Sequence, residues 1–274
     1  MAEPAEARPD IGVIGGSGFS TFLDEVHRHA VDTPFGPPTA EVAVGVVGSR
    51  RVAFLPRHGE HHQYPPGQIN YRANLWALRA VGVRQVLAPC AVGSLRPELT
   101  PGTFVVPDQV VDRTSGRAPT VYDAVGPVVH VAFAQPYCPR GRATVLAADA
   151  DAVDGGTLVV VNGPRFSSAA ESAWHAAQGW AVVGMTGQPE AAVARELALC
   201  YTSIAMVTDH DAGIDGGSAV SYAEVMRVFA ANLAGLRGLL AEVITRLPPP
   251  EPDPDAVCAC RRSLDGLALP IALP

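Results

Sequence analysis

The stretch from Phe54 to Gln63, FLPRHGEHHQ, contains side chains well suited to holding phosphate. Arg57 offers a guanidinium whose parallel N–H groups match two phosphate oxygens, and His58 adds an imidazole beside it. The string Arg-His-Gly-Glu occurs in two kinds of phosphate chemistry. In one, the histidine is a nucleophile that becomes phosphorylated; in the other, the arginine and histidine hold free phosphate while it attacks another molecule. The string alone leaves both open.

A second chemical segment is TDHDAG, residues 208–213, which ends an apolar run. Asp209 and Asp211 are two residues apart, so in extended chain they face the same way, toward a crevice at the end of a strand. A carboxylic acid there can protonate a leaving heterocycle or pair with its amino group. A solvated acidic loop is the plainer interpretation.

Three further segments follow apolar runs and offer groups that complement a nucleoside-like ligand. GGSGF, residues 15–19, supplies flexible backbone and the hydroxyl of Ser17 for an anion. In NGPRF, Phe166 can stack on a base, and in GMTGQPE, Met185 can cover a sugar. Taken together, the five segments predict a site for phosphate plus a heterocyclic, sugar-bearing ligand.

The segments that carry these residues lie between strand-like and helix-like patterns. Predicted strands occupy residues 11–16, 42–48, 51–56, 85–94, 103–112, 157–164, 181–185 and 203–209, and predicted helices occupy 70–82, 167–179, 189–199 and 221–247. Several strands are apolar throughout, as in sheets buried on both faces. The alternation predicts an α/β fold: one domain with a mixed, twisted central sheet flanked by helices.

The end of the chain differs in composition from the rest. Residues 248–255, PPPEPDPD, are too Pro-rich and acidic to pack, whereas the last residues, LDGLALPIALP, are apolar again. We therefore expect a main domain over residues 1–247. Residues 248–274 are expected to form a linker and a tail that packs on the same or a neighbouring subunit.

Composition excludes several function classes. All 20 basic residues are arginine, which rules out a lysine Schiff base and a P-loop lysine. The net charge of −7 argues against nucleic-acid binding. No apolar run approaches the roughly 20 residues that span a bilayer, and the acidic N-terminus does not resemble a signal peptide. The sequence predicts a cytoplasmic enzyme that has no nucleic-acid or membrane partner.

The cysteines give a weak signal. Cys90, Cys138 and Cys200 are scattered and typical of inert core residues, whereas Cys258 and Cys260 form a C-x-C pair. Two thiols without a further cysteine or histidine nearby indicate zinc only weakly. The sequence therefore predicts no metal site.

An ordered series of motifs gives a more specific indication. The chain resembles the methylthioadenosine phosphorylase branch of the trimeric purine nucleoside phosphorylases over about residues 11–247. The motifs that carry the resemblance are IGVIGGSGF, DTPFGPP, RHG followed by NYRANLWAL, AVGSL, PDQVVDRTSGR, GPRFSSAAES, MTGQPEAAVARE and TDHDAG.

The resemblance implies a homotrimer that splits a purine nucleoside with inorganic phosphate as co-substrate, without metal or redox cofactor. It assigns phosphate binding to Ser17, Arg57, His58, Cys90, Ala91 and Thr186. It assigns substrate binding to Phe166, Ser167, Met185, Asp209, Asp211, His130 and Tyr222. Among these, Asp209, Asp211 and His58 take the catalytic roles, Asp209 as the proton donor toward N7 of the purine. The apolar tail, at Ile271 and Leu273, and His130 are expected to reach a neighbouring subunit's site.

Three positions depart from the family pattern. Cys90 stands where a threonine commonly binds phosphate, so one hydroxyl is lost. Gly184 stands where an asparagine often precedes the Met-Thr pair. Tyr222 stands near a position that is usually a smaller apolar residue beside the 5′ pocket.

Alternative functions follow from the same residues. A carboxylate at Asp209 favours 6-aminopurines, but inosine-type 6-oxopurines or another 5′-modified adenosine remain open as substrates. A histidine phosphatase also needs Arg-His-Gly-Glu after a strand, yet it expects a further arginine where EHHQYP stands, and its motif normally lies on the first strand. A binding protein of the same fold is the third alternative.

Overall fold

The computed structural model describes residues 8–16, 23–216, 220–249 and 258–274. Within these ranges the chain forms eleven strands and five α-helices. The strands are β1 Ile11–Gly15, β2 Asp24–His29, β3 Val42–Val47, β4 Arg50–Pro56, β5 Gln85–Ser94, β6 Phe104–Val106, β7 Gln109–Asp112, β8 Val153–Asp154, β9 Thr157–Val160, β10 Val182–Gly184 and β11 Cys200–His210. The helices are α1 Tyr71–Ala80, α2 Pro139–Ala148, α3 Ala169–Ala177, α4 Gly187–Glu196 and α5 Tyr222–Arg246.

All of these strands belong to one mixed sheet. Its main path runs β2-β3-β4-β1-β5-β10-β9-β7, and β11 pairs with both β5 and β6. Pairs β1–β4, β1–β5 and β5–β11 are parallel, whereas β5–β10 and the β2–β3–β4 meander are antiparallel. The α/β fold with a mixed central sheet is therefore confirmed. The segment predicted as one strand over 103–112 is two strands, β6 and β7, separated by Pro107.

Strand β5 is the element around which the sheet divides. On one side it pairs with β11 along its whole length. On the other side it pairs with β1 only at residues 85–87 and with β10 only at Gly93 and Ser94. Among the described residues, no strand covers residues 88–92 on that side. The backbone there is open to a ligand at the middle of the sheet.

Side-chain caps fix where the predicted helices begin. Asn70 accepts a hydrogen bond from the backbone of α1, and Ser221 does the same for α5. Helix α3 begins with a capping box in which Ser168 and Glu171 exchange hydrogen bonds. The helix predicted over 167–179 therefore begins at Ala169, two residues later than expected. Because Ser168 caps the helix, the side chain of Ser167 is left to face elsewhere.

Helix α5 packs one face on the core. Its residues Leu236, Leu240 and Val243 are buried against the cluster that includes Phe54 and Met206. By length and composition α5 is also the one described helix that meets the criteria for crossing a membrane. That is weak evidence of a span, since core helices meet the same test.

The C-terminal segment packs on its own chain. Ile271 and Leu273 are partly buried against the core cluster built on α1 and α4. A short 3-10 turn, Ala259–Arg262, buries Cys260. Neither Ile271 nor Leu273 lines this chain's own cavity. A contact with a neighbouring subunit stays a prediction.

Candidate active site

One cavity of about 470 Å³ opens where the sheet divides. Its wall is formed by the ends of β1, β4, β9, β10 and β11, the middle of β5 and the first turns of α5. Ligand crevices in α/β proteins lie at such strand ends. The predicted site residues that line it are Arg57, His58, Cys90, Ala91, Phe166, Ser167, Met185, Thr186, Asp209, Asp211 and Tyr222.

Two predicted residues are not part of this wall. Ser17 lies outside the described residues, although its neighbour Gly16 lines the cavity. His130 is exposed on the irregular segment between β7 and α2 and does not line the cavity. Its predicted contact across a subunit interface stays a prediction.

The buried guanidinium of Arg57 fills the wedge where β1 and β5 diverge. Its Nη2 donates to the backbone oxygen of Ile14 at 2.8 Å, and its Nη1 donates to that of Pro89 at 3.0 Å. Its Nε and Nη2 form a bidentate ion pair with Glu190, at 2.7 and 2.9 Å. Glu190 is fully buried and also accepts a hydrogen bond from Tyr201 at 2.8 Å.

This arrangement changes what Arg57 can offer a phosphate. A guanidinium has five N–H groups, and the contacts with Glu190 and the two carbonyls occupy four of them. One Nη1 hydrogen is left, so the parallel fork expected from the sequence is directed at Glu190. Burial alone would lower the pKa of Arg57, but Glu190 outweighs it and the pKa lies above its ordinary value. The pair is charged but electrically neutral overall.

His58 is held as one tautomer. Its Nδ1 lies 2.8 Å from the backbone oxygen of Tyr64, which can only accept, so Nδ1 carries the proton. Burial lowers the pKa of His58 most, this hydrogen bond opposes that effect, and the charge of Arg57 adds to it. The resulting pKa is about 4. The ring stacks on His62 with centroids 4.5 Å apart. At neutral pH His58 is therefore neutral, and its Nε2 is an acceptor.

Cys90 lies on the open stretch of β5, and Thr186 lines the same cavity from the start of α4. Burial raises the pKa of the Cys90 thiol, which lies 3.8 Å from the hydroxyl of Ser203. The thiol stays protonated and is a weak donor. Thr186 is buried at the start of α4, and its side chain makes no capping hydrogen bond. The hydroxyl of Thr186 and the uncovered backbone near Ala91 are consequently the better neutral donors here.

Asp209 is the carboxyl group most perturbed toward the protonated form. Burial raises its pKa to about 6, the hydrogen bond from Thr208 opposes this, and the nearby charge of Asp211 adds to it. The Thr208 hydroxyl lies 2.7 Å from Oδ1 of Asp209 and 3.2 Å from the backbone oxygen of Val92. A Cβ at Gly93 would lie 3.2 Å from Oδ2 of Asp209, so glycine leaves room for the acid. Asp209 is suited to give up a proton near neutral pH.

Asp211 makes a different contact. It is 3% exposed, and its Oδ2 accepts a hydrogen bond of 2.6 Å from Ser172 on α3. That contact joins the end of β11 to α3. Because the cavity residues Phe166 and Ser167 lie just before α3, Asp211 fixes the helix that they precede.

Apolar side chains close the rest of the cavity. Val225, Met226 and Phe229 extend from α5, and Tyr222, 63% exposed, stands at the mouth. Gly163 approaches closely from the loop after β9, since a Cβ there would lie 2.4 Å from Sδ of Met185. The cavity thus combines polar strand ends with one apolar wall.

Two features of the site were not predicted. Glu190 was not predicted to pair with Arg57, although an acid in the first turn of a mostly apolar helix is a candidate partner for a buried arginine. Apart from Tyr222, the residues of α5 were predicted to form a helix but not a cavity wall. An apolar stripe on a helix indicates burial without saying whether protein or ligand covers it.

Comparisons with known proteins agree with this geometry. The family model described as "Phosphorylase superfamily" matches residues 10–245. The chain is 58% identical to a Streptomyces coelicolor protein named purine nucleoside phosphorylase, over 98% of this chain and 99% of that protein. It is 53% identical to a Mycobacterium tuberculosis protein named S-methyl-5′-thioadenosine phosphorylase, over 96% and 97%. A solved methylthioadenosine phosphorylase from Schistosoma mansoni in complex with adenine superposes with a TM-score of 0.82, at 37% identity over 87% of this chain and 91% of that one.

Proposed function

The chain belongs to the phosphorylase superfamily, and we propose that it catalyses phosphorolysis of a purine nucleoside, 5′-deoxy-5′-methylthioadenosine in particular. Inorganic phosphate attacks C1′ of the sugar, the bond from C1′ to N9 of the purine breaks, and the purine leaves with a proton. The products are the free base and 5-methylthioribose 1-phosphate. The protein is a pentosyltransferase, like the enzymes that its relatives are named for.

One observation carries the proposal. The same cavity is lined by the buried Arg57, by the adjacent His58 and by Asp209, whose pKa is raised to about 6. Phosphorolysis needs both groups, because an anionic nucleophile must be held below the sugar and the departing purine must be neutralised. A phosphatase also needs an acid for its leaving group, but it needs no apolar wall beside that acid.

In this proposal, neutral donors supply most of the hydrogen bonds to phosphate. The Arg57–Glu190 pair is neutral overall, so Arg57 contributes one directed N–H rather than a free charge. Thr186 adds its hydroxyl, and backbone amides near Ala91 add theirs. Neutral His58 accepts from a P–OH group, which orients the phosphate with its unprotonated oxygens toward C1′. Ser17, outside the described residues, remains a proposed ligand.

On the base side, protonated Asp209 has one donor and one acceptor oxygen. The O–H can donate to N7 of the purine while the other oxygen accepts from a 6-amino group, the pattern that adenine offers. As the C1′–N9 bond breaks, negative charge develops on the purine and the proton moves from Asp209 to N7. Phe166 stacks on the ring in this proposal, and Met185 lies against the ribose.

The 5′ substituent meets the apolar wall. Val225, Met226 and Phe229 offer carbon and sulfur surface rather than hydrogen-bond partners. A methylthio group gains from such contact, whereas a 5′ hydroxyl would lose a hydrogen bond with water. This favours 5′-methylthio substrates over adenosine.

Phosphorolysis of 6-oxopurine nucleosides is the second candidate, and one finding favours it. A Pyrococcus furiosus relative, 40% identical over 94% of this chain and 98% of that protein, is named 6-oxopurine nucleoside phosphorylase. A 6-oxo group would face the acceptor oxygen of protonated Asp209, which disfavours such bases in this chain. Substrate comparison decides between the two.

A homotrimer in the cytoplasm completes the proposal. Val125 and Val128 are exposed on the irregular segment that also carries His130, and exposed apolar side chains of this kind suit a subunit contact. The exposed Tyr222 at the cavity mouth is a second surface that a neighbour can cover. Sedimentation velocity tests the assembly, and a monomer would contradict it.

The decisive experiment follows base release. The purified chain is incubated with methylthioadenosine, adenosine and inosine, each with and without phosphate, and both the base and the sugar product are quantified. We expect phosphate-dependent release of adenine, fastest from methylthioadenosine, with sugar 1-phosphate as the second product.

Each other outcome excludes a part of the proposal. Base release that is indifferent to phosphate would identify a hydrolase, and none at all would identify a binding protein. Faster turnover of inosine than of methylthioadenosine would support the second candidate. Release of phosphate from phosphomonoesters would identify a phosphatase.

A further inference from the structure

Four of the chain's five cysteines meet at one point away from the nucleoside cavity. Cys138, Cys200, Cys258 and Cys260 have Sγ atoms that all lie within 4.8 Å of one another. They come from three separate parts of the chain: the start of α2, the first residue of β11 and the segment after the Pro-rich stretch. Cys90, the fifth, lines the cavity instead.

We propose that these four thiols bind one zinc ion as a tetrahedral tetrathiolate site. A Zn–S distance of about 2.3 Å places the sulfurs of such a site roughly 3.8 Å apart. Sγ of Cys138 and Sγ of Cys258 are 3.6 Å apart, close to this sulfur–sulfur distance. The other sulfur pairs lie within 4.8 Å and need only small side-chain rotations to reach it. Cys138, Cys200 and Cys260 are at most 5% exposed, as in closed structural sites.

The surroundings of the cluster suit four thiolates. A zinc tetrathiolate carries a net charge of −2, which needs positive groups and N–H donors around it. The backbone N–H of Gly141 donates to Sγ of Cys138 at 3.5 Å, at the N-terminus of α2. Nη2 of Arg195 lies 3.8 Å from Sγ of Cys260, and Arg195 is itself 8% exposed.

The charge on Arg195 is otherwise unexplained. Its guanidinium donates to the backbone oxygens of Ala132 and Gln135 and to Sγ of Cys260, and within the described ranges it forms no salt bridge with a carboxylate. A buried cation normally has an anionic partner. Neutral thiols would not provide one, whereas zinc-bound thiolates would.

The proposed zinc fastens the C-terminal segment to the sheet. Cys258 and Cys260 flank the turn from which the chain continues to Ile271 and Leu273, which pack on the core. Cys138 and Cys200 belong to elements of the main domain. A metal site that closes a long loop lowers the conformational entropy of the unfolded chain, so zinc binding contributes directly to folding stability.

The cluster lies far from Asp209, the proposed acid, although Tyr201, the residue after Cys200, contacts Glu190 on the phosphate side. Nine residue steps along β11 lead from Cys200 to Asp209, roughly 30 Å at about 3.3 Å per residue. Removing zinc should therefore lower the unfolding temperature while phosphate-dependent base release continues at low temperature. This separates a failure of the zinc proposal from a failure of the proposed reaction.

Metal analysis of the full chain tests the proposal. The protein is expressed in zinc-supplemented medium and purified anaerobically with a phosphine reductant and no chelator. We expect one zinc per chain by plasma mass spectrometry, lost in Cys200→Ser and in Cys258→Ser. Cys90→Ser is the matched control for zinc content, because its thiol lies outside the cluster.

Cobalt gives a readout that does not depend on the variants folding. Apoprotein reconstituted with Co²⁺ should show the intense visible bands of a tetrahedral thiolate complex, and zinc should bleach them. Protein that contains no zinc and gives no such spectrum would overturn the proposal. The proposal would also be overturned if protein prepared without oxygen had an intact mass lower than that of the fully reduced chain by the hydrogens lost in forming two disulfides.

Discussion

The acid role of Asp209 can be tested through the hydroxyl that contacts it. Thr208→Val keeps the shape of this buried side chain but removes the Oγ1–H that lies 2.7 Å from Oδ1 of Asp209. The hydroxyl stabilises the ionised carboxylate, so it opposes the rise in pKa that burial causes. Without it the pKa of Asp209 must rise further.

The size of the shift follows from the strength of this hydrogen bond. A hydrogen bond to a charged group contributes about 1.5–3 kcal/mol, and about 1.4 kcal/mol corresponds to one pKa unit. The hydroxyl hydrogen of Thr208 is shared between Asp209 and the carbonyl of Val92, which favours the lower figure. We expect the pKa to rise by about one unit, from about 6 to roughly 7.

The assay is the pH dependence of kcat/KM for methylthioadenosine. If the protonated acid is required, kcat/KM falls as pH rises through the pKa of Asp209, and in Thr208→Val this fall moves to higher pH. Phosphate also titrates near neutral pH, but equally for both proteins, so the difference between the profiles reports on the enzyme. Thr202→Val, at an equally buried position of the same strand, is the matched control and should leave the profile unchanged.

Two results would refute the reasoning. A profile of Thr208→Val that superposes on that of the parent chain would mean that Asp209 does not supply the proton. A shift to lower pH would mean that the hydroxyl favours the protonated form.

Four further substitutions or measurements test other parts of the site. Asp209→Asn should slow adenine-nucleoside turnover and spare 6-oxopurines; equal loss on both would contradict the selectivity role. The raised pKa of Asp209 makes the folded state less stable as pH rises through about 6. In urea titrations at pH 8, Asp209→Asn should therefore be more stable than the parent chain, by up to about 3 kcal/mol before solvent screening is taken into account. Glu190→Gln breaks the buried pair with Arg57 and should cost about 3–5 kcal/mol; an unchanged urea midpoint would be inconsistent with this. Gly93→Ala places a Cβ 3.2 Å from Oδ2 of Asp209 and should lower kcat by roughly tenfold to 100-fold with little change in melting temperature; full activity would show that the acid tolerates displacement. Mass spectrometry after turnover with labelled phosphate should find the label in the sugar 1-phosphate and none on His58; a phosphohistidine would restore the phosphatase interpretation.

The sequence predicted the elements whose apolar pattern is continuous and missed those that depend on neighbours. Strand β2, DEVHRH, is polar and exposed at the edge of the sheet, and only its backbone pairing with β3 makes it a strand. Helix α2 buries little more than Gly141 and Val145, so its sequence has no marked apolar stripe. At 103–112 the apolar run continues through Pro107, which cannot donate to a ladder, and β6 and β7 pair with different strands.

For the site, residue types at strand ends were predictable, and pairings across the chain were not. Arg57 and Glu190 are 133 residues apart, and Ser172 and Asp211 are 39 apart, so no local spacing connects them. The pairing of Arg57 with Glu190 decides how many donors phosphate can use. The neutral state of His58 likewise depends on burial and on the carbonyl of Tyr64, which only the fold provides.

The division of the sheet at β5 has an evolutionary consequence. Most groups proposed to hold phosphate follow β1 and β4 or lie on the open stretch of β5, with Thr186 after β10 as the exception, whereas those proposed to meet the base and sugar follow β9 and β10 or end β11. Substitutions of the base and sugar contacts can therefore accumulate without disturbing the Arg57 wedge between β1 and β5, as long as Glu190 on α4 is kept. A lineage can exchange one nucleobase or 5′ group for another while inheriting its phosphate chemistry intact, and relatives with different substrates can diverge from one ancestral scaffold.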